Sequence, residues 1–124
     1  MAGTRDLRER TRRLAVRIVR LCRSLPRTME AKTIASQLLR CGTSVGANYR
    51  AVCRARSRAE FAAKLGIVVE EADEVIFWLE LLIDTGIITR NQSEELLAEA
   101  NELVAIFVTS RQTVMRPPAA ADAL

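Results

Sequence analysis

The side chains with chemistry to offer in this sequence are guanidiniums. Of 19 basic residues all but Lys32 and Lys64 are arginine, and histidine is absent. Arg10, Arg13, Arg17 and Arg20 recur at three- and four-residue steps, which places them along one flank of a helix. Arg5, Arg8, Arg12 and Arg23 fall on the other flank. A guanidinium is a planar fork that donates two bonds at once to a phosphate or a carboxylate. Either ridge therefore suits contact with an anionic partner, or pairing with acidic helices of the same protein. Arg40, Arg50 and Arg54 point away from the apolar stripe of the following segment, and together with Arg10, Arg13, Arg17 and Arg20 they form the expected nucleic-acid-binding set. Charge is split along the chain. Residues 1–58 hold 15 Lys and Arg against Asp6, Glu9 and Glu30, a net +12, whereas residues 59–124 hold four bases against 12 acids, a net −8. A basic half of this kind is the footprint of a surface that meets nucleic-acid backbone with salt-dependent affinity. The same split also allows subunits to pair head to tail.

Catalytic chemistry finds little support. Without histidine the commonest general base and metal ligand is missing, and the Glu-x-x-His motif of di-iron bundles is excluded. Neither a phosphate-binding G-x-x-x-x-G-K-S/T loop nor a G-x-G-x-x-G run occurs. Glu70, Glu71, Asp73 and Glu74 form the densest carboxylate group, but these positions spread round a helix and do not converge on a metal. Cys22, Cys41 and Cys53 are odd in number and widely spaced, which fits neither a disulfide framework nor a zinc site. All three fall on apolar stripes and read as reduced core residues. The expectation is a protein that is not an enzyme and uses no cofactor or metal. Its expected partners are further copies of itself, RNA or DNA, or another protein. No signal-peptide h-region and no run of about 18 apolar residues is present, so a cytoplasmic protein without a membrane span is expected.

The elements that must carry these residues are helices. The length suits one domain. A first helix is predicted from about Arg5 to Ser24, capped by Thr4, with Leu7, Leu14, Ile18, Leu21 and Leu25 as its stripe and Cys22 at the edge. A second runs from near Glu30, capped by Thr28, to about Arg54, with Ile34, Leu38, Cys41, Val45, Tyr49 and Val52 inward. Ser57 and Glu60 make a capping box for a third, which Gly86 closes near Thr85. Its stripe is Phe61, Leu65, Val68, Ala72, Val75, Ile76, Leu79, Leu82 and Ile83. A fourth begins at Thr89, boxed by Gln92, or at Ser93, and ends near Met115. Leu96, Leu97, Ala100, Leu103, Val104, Phe107 and Val108 face its core. Four amphipathic helices with short links make an all-α, up-down-up-down antiparallel four-helix bundle over residues 1–116, followed by a disordered tail at 117–124.

Three features of this frame invite a role. Gly42 and Gly46 fall on one face inside the second helix, where each costs about 1 kcal/mol against alanine. Close approach of another backbone accounts for both, with Ser44 and Ala47 keeping the neighbourhood small; a helix break at Gly42 is the alternative. Asn48 is polar at the edge of a core stripe, where a buried side-chain bond would set register, or where it would contact RNA or a partner. Ile67, Phe77 and Leu81 sit among Glu70, Asp73, Glu74 and Asp84 on what should be a wet face, which points to a protein interface. Val16 and Val19 are candidates for the same surface.

The runs T-S-V-G-A-N at Thr43–Asn48, R-S-R-A-E-F at Arg56–Phe61, K-L-G-I at Lys64–Ile67 and F-W-L-E-L-L at Phe77–Leu82 resemble the small four-helix bundle family known as 23S ribosomal RNA intervening-sequence proteins. The resemblance covers roughly residues 5 to 115. It implies a homopentameric ring and an association with ribosomal RNA insertions. It also implies a relation to the accessory protein of diversity-generating retroelements, which engages RNA and a reverse transcriptase. The family has no settled activity. Many members carry an acid and a glycine shortly after the asparagine; here Ala51 and Val52 stand there, so no role of that acid carries over.

Overall fold

The computed structural model describes residues 3–117. The tail expected at 117–124 lies outside them except for Pro117. Each apolar stripe becomes one helix: α1 (Thr4–Ser24), α2 (Met29–Cys53), α3 (Arg58–Asp84) and α4 (Arg90–Met115), with no strand among the described residues.

The helix ends follow local chemistry. Thr28 Oγ1 accepts from the Ala31 amide at 3.3 Å and starts α2. At α4 both halves of the box form, with the Gln92 amide donating to Thr89 Oγ1 and the Thr89 amide donating to Gln92 Oε1. The α3 box is only half made. Ser57 Oγ accepts from the Glu60 amide at 3.1 Å, but the Glu60 carboxylate accepts from the Arg56 amide at 3.4 Å instead of from Ser57. α1 starts one residue earlier than expected, with Gly3 as N-cap in place of Thr4 and no side-chain capping bond. Gly86 has φ +75°, the left-handed conformation that closes α3 and lets the Ile87 amide reach the Leu82 carbonyl at 3.0 Å.

Links of four or five residues between helices of 21 to 27 residues force sequence neighbours to pack antiparallel. Gly42 meets Ile18 while Gly46 meets Thr11, so α2 runs back along α1. The core is continuous through all four helices, with Leu14, Ile18, Leu38, Val45, Leu65, Leu79, Leu103 and Phe107 fully buried. Burying each such side chain contributes about 1.5–3 kcal/mol. Tyr49 packs its ring 5.4 Å from that of Phe107, tying α2 to α4 across the centre. The packing is uneven: α2 and α3, α3 and α4, and α1 and α2 lie along one another, whereas α1 and α4 touch sparsely.

Helix α2 continues unbroken through both glycines. A Cβ on Gly42 would fall 2.5 Å from Ile18 Cδ1, and one on Gly46 would fall 3.3 Å from Thr11 Oγ1. At Gly42 the space is taken by the Ile18 side chain, whereas the expected backbone approach holds at Gly46, where the Thr11 carbonyl carbon lies 3.5 Å from that position. Thr11 is fully buried there and donates its hydroxyl to the Leu7 carbonyl at 2.8 Å. Asn48 does not carry register between helices by its amide, because Nδ2 donates to the Ser44 carbonyl of its own helix at 2.9 Å. The cysteine expectation needs one correction. Cys41 is buried and Cys22 half-buried, but Cys53 is exposed: the inward face at the end of α2 is taken by Tyr49 and Val52, and Cys53, one residue on, is turned off it.

Candidate nucleic-acid interface

The two flanks of α1 meet different neighbours. On one flank Arg10 Nε and Nη2 donate to the two carboxylate oxygens of Glu99 on α4, at 3.0 and 2.6 Å, and Nη2 lies 3.2 Å from Glu102. The pair is mostly buried, with the side chains 15% and 23% exposed. The bonds to Glu99 raise the Arg10 pKa further against the opposing cost of burial. Arg17 pairs with Glu95 at 3.6 Å. Arg40, on α2, holds Glu74 and, at 3.2 Å, Glu71 of α3. Three of the seven arginines singled out for nucleic acid are thus engaged within the molecule. Arg13 lines the α1–α4 groove beside Glu95 and Glu99, and Arg20 is exposed. The carboxylate run of α3 divides accordingly: Glu71 and Glu74 turn toward Arg40, while Glu70 and Asp73 face outward. No group of three or more His, Cys, Asp or Glu able to hold a metal occurs among the described residues.

The other flank opens onto a cleft of about 710 Å³. Arg8 and Arg12 of α1 form one wall, Arg50 and Arg54 rise from α2, and Arg56 and Lys64 close the far side. Its floor is small: Ala15, Thr43, Gly46, Ala47 and Ala51. The small floor and the glycine approach have one cause. With no Cβ on Gly46, α1 settles against α2 at Thr11, and the long cations stand around the shallow trough that remains. Glu60 is the one carboxylate in the lining. Among the described residues no acid lies within ion-pair distance of Arg8, Arg12, Arg50, Arg54 or Arg56. Six cations gathered around one concave floor sum to a positive field that draws in anions. The lining contains no aromatic ring, so nothing there stacks on a base.

The sequence pointed to Arg50 and Arg54 but placed the α1 contribution on the flank that α4 neutralises. Arg56 and Lys64 were not singled out. The readable signal was the small stripe Gly46, Ala47 and Ala51 between arginines, with Ala15 opposite, which marks a floor.

On the outer face of α3, Phe77 is 54% and Ile67 46% exposed. Phe77 meets Trp78 edge-on with ring centroids 4.9 Å apart. Leu81 is half-buried against the core; of the outlying candidates, Val16 is exposed and Val19 half-buried. Trp78 Nε1 is buried with no hydrogen-bond partner among the described residues. No helix of the described residues is long and apolar enough to cross a membrane.

Comparison with known proteins gives two results. The sequence model of the family described as 23S rRNA-intervening sequence protein matches residues 5–109. A crystal structure of a protein of unknown function from the S23 ribosomal protein family of Bacteroides thetaiotaomicron is 38% identical, with a TM-score of 0.81, over 88% of this chain and 97% of that one. No curated protein matches.

Proposed function

The chain belongs to the 23S rRNA-intervening sequence protein family, and we propose that it is a non-enzymatic, self-associating bundle that grips RNA by its sugar–phosphate backbone. The cleft carries this reading: six cations, one acid, a floor of small residues and no stacking ring. Such a surface draws its affinity from phosphate neutralisation and reads little sequence. The family name refers to a segment of 23S rRNA, which is why RNA is put ahead of DNA as the ligand. The test is fluorescence anisotropy with labelled duplex and single-stranded RNA and DNA, titrated at several salt concentrations. Binding that weakens steeply with salt and differs little between unrelated sequences is expected. Absence of binding at low salt by folded protein overturns the reading.

A second reading concerns assembly, which the exposed Phe77 and Ile67 favour. An apolar groove of about 510 Å³, lined by Phe61, Ala105, Ile106, Thr109 and Val114, lies between the start of α3 and the end of α4. A knob and a groove on different faces join copies heterologously, and contacts of that kind close into rings when the rotation allows. A ring, pentameric by the family resemblance, multiplies the clefts on one particle and adds avidity. Without nucleic acid, the same contacts would leave an oligomeric scaffold that binds a protein partner. Phe77→Asp is expected to lower the mass measured by light scattering; an unchanged mass removes Phe77 from the interface.

A further inference from the structure

We propose that Glu60 is the cleft's own anion, which masks Lys64 and so limits how tightly and how broadly the cleft holds phosphate; the inference rests on the nucleic-acid reading above. Glu60 is the single acid among the lining residues. One carboxylate oxygen lies 3.9 Å from Lys64 Nζ, and the other accepts the Arg56 amide at 3.4 Å. Both partners belong to the far wall of the same cleft. The carboxylate thus occupies the position from which a phosphate would meet Lys64, and it repels a phosphate that arrives there.

The contact is built to be displaced. At 3.9 Å the lysine pair is loose, and both side chains are more than a third solvent-exposed, so little holds it against a competing anion. The cap of α3 does not depend on the carboxylate, because Ser57 Oγ takes the Glu60 backbone amide. Glu60 is therefore free to act electrostatically while the helix start stays in place. The wall of Arg8, Arg12, Arg50 and Arg54 has no such internal competitor among the described residues and takes the first phosphates. Lys64 adds its contact only when a ligand displaces the Glu60 carboxylate. This makes Glu60 a tuning residue that favours a strand filling the whole cleft over one that touches the arginine wall alone.

The experiment compares wild type, Glu60→Gln, Lys64→Gln and the double variant, titrated with a labelled RNA duplex across a salt series. Glu94→Gln serves as the control for net charge, since Glu94 is exposed near the start of α4 at the far end of the bundle. Glutamine keeps the acceptor for the Arg56 amide. Glu60→Gln is expected to tighten binding about fivefold at low salt and to steepen the salt slope by about one phosphate contact, well beyond Glu94→Gln. Lys64→Gln is expected to weaken binding more in the Glu60→Gln background than in wild type, a coupling the double-mutant cycle reads directly. Circular dichroism and melting temperature establish that each variant is folded. Wild type that binds while Glu60→Gln behaves as Glu94→Gln overturns this inference and leaves the nucleic-acid reading standing. Wild type that does not bind at all overturns that reading instead.

Discussion

Arg10 and Arg8 lie two residues apart on α1 and have opposite fates. The first reaches α4, where Glu99 and Glu102 neutralise it. The second faces α2, whose nearby surface offers Gly46, Ala47, Arg50 and Arg54 and no acid. One flank of the helix helps to hold the bundle together where the backbones of α1 and α4 approach least. The other is left as a concentrated charge that the fold itself does not use. The difference teaches that an arginine ridge has no function of its own until the neighbour across from it is known. Charge that finds a carboxylate becomes structure, and charge that finds small residues remains available to a ligand.

The strongest way to break that contrast is to remove each side separately. Replacing Arg8, Arg12, Arg50 and Arg54 together by Gln should weaken RNA binding roughly 100-fold at low salt and flatten the salt slope by about three to four units. Arg10→Gln with Arg17→Gln should move affinity less than about threefold and lower the melting temperature instead. Equal losses of affinity from the two sets, measured by anisotropy, would end the distinction between them.

A second test attacks the close approach of α1 and α2. Gly42→Val forces a side chain into the space of Ile18, whose Cδ1 a Cβ alone would meet at 2.5 Å. The overpacking should cost about 1–3 kcal/mol in urea unfolding. Gly46→Ala should lie much nearer to neutral, because its contact with Thr11 Oγ1 at 3.3 Å is offset by a helix-propensity gain of about 1 kcal/mol.

Alkali should separate the ionic seam from the buried face of α2. The seam keeps its arginines charged, since Glu99 raises the Arg10 pKa. Burial, the main cause, pushes the Cys41 thiol up from 9.0 to about 12. Unfolded chain then releases a proton above about pH 9 that folded chain retains until about pH 12, so stability is full below that window and falls as pH rises through it. Cys41 should add up to about 1.4 kcal/mol per pH unit to the slope in urea unfolding within the window, on top of the half-buried Cys22 thiol, which burial pushes from 9.0 to about 11. Cys41→Ala should remove the Cys41 share while Arg10→Gln leaves it in place.

The narrowest test concerns one carboxylate of the seam. Glu99→Gln removes the charged half of a mostly buried two-pronged bond but leaves Arg10 with Glu102. A loss of about 1–2 kcal/mol in urea unfolding is expected, with RNA affinity unchanged.

Much of this molecule was readable along the chain because helices are local. Apolar spacing, the caps at Thr28 and Thr89 and the stop at Gly86 depend on residues within a turn or two of one another, so helix number, bounds and inward faces follow from sequence. The glycine pair likewise announced a close approach, and the family resemblance agrees with the match over residues 5–109. Other features depend on what stands across a gap, which no local pattern encodes. Only the tertiary structure assigned the Arg10 flank to Glu99 on α4 and the Arg8 flank to an uncapped basic cleft, through a pairing 89 residues apart in sequence. It also turned the Glu60 carboxylate from the expected capping partner into a neighbour of Arg56 and Lys64, because the route of the loop into α3, and not the spacing of Ser57 and Glu60, decides which amide that side chain can reach.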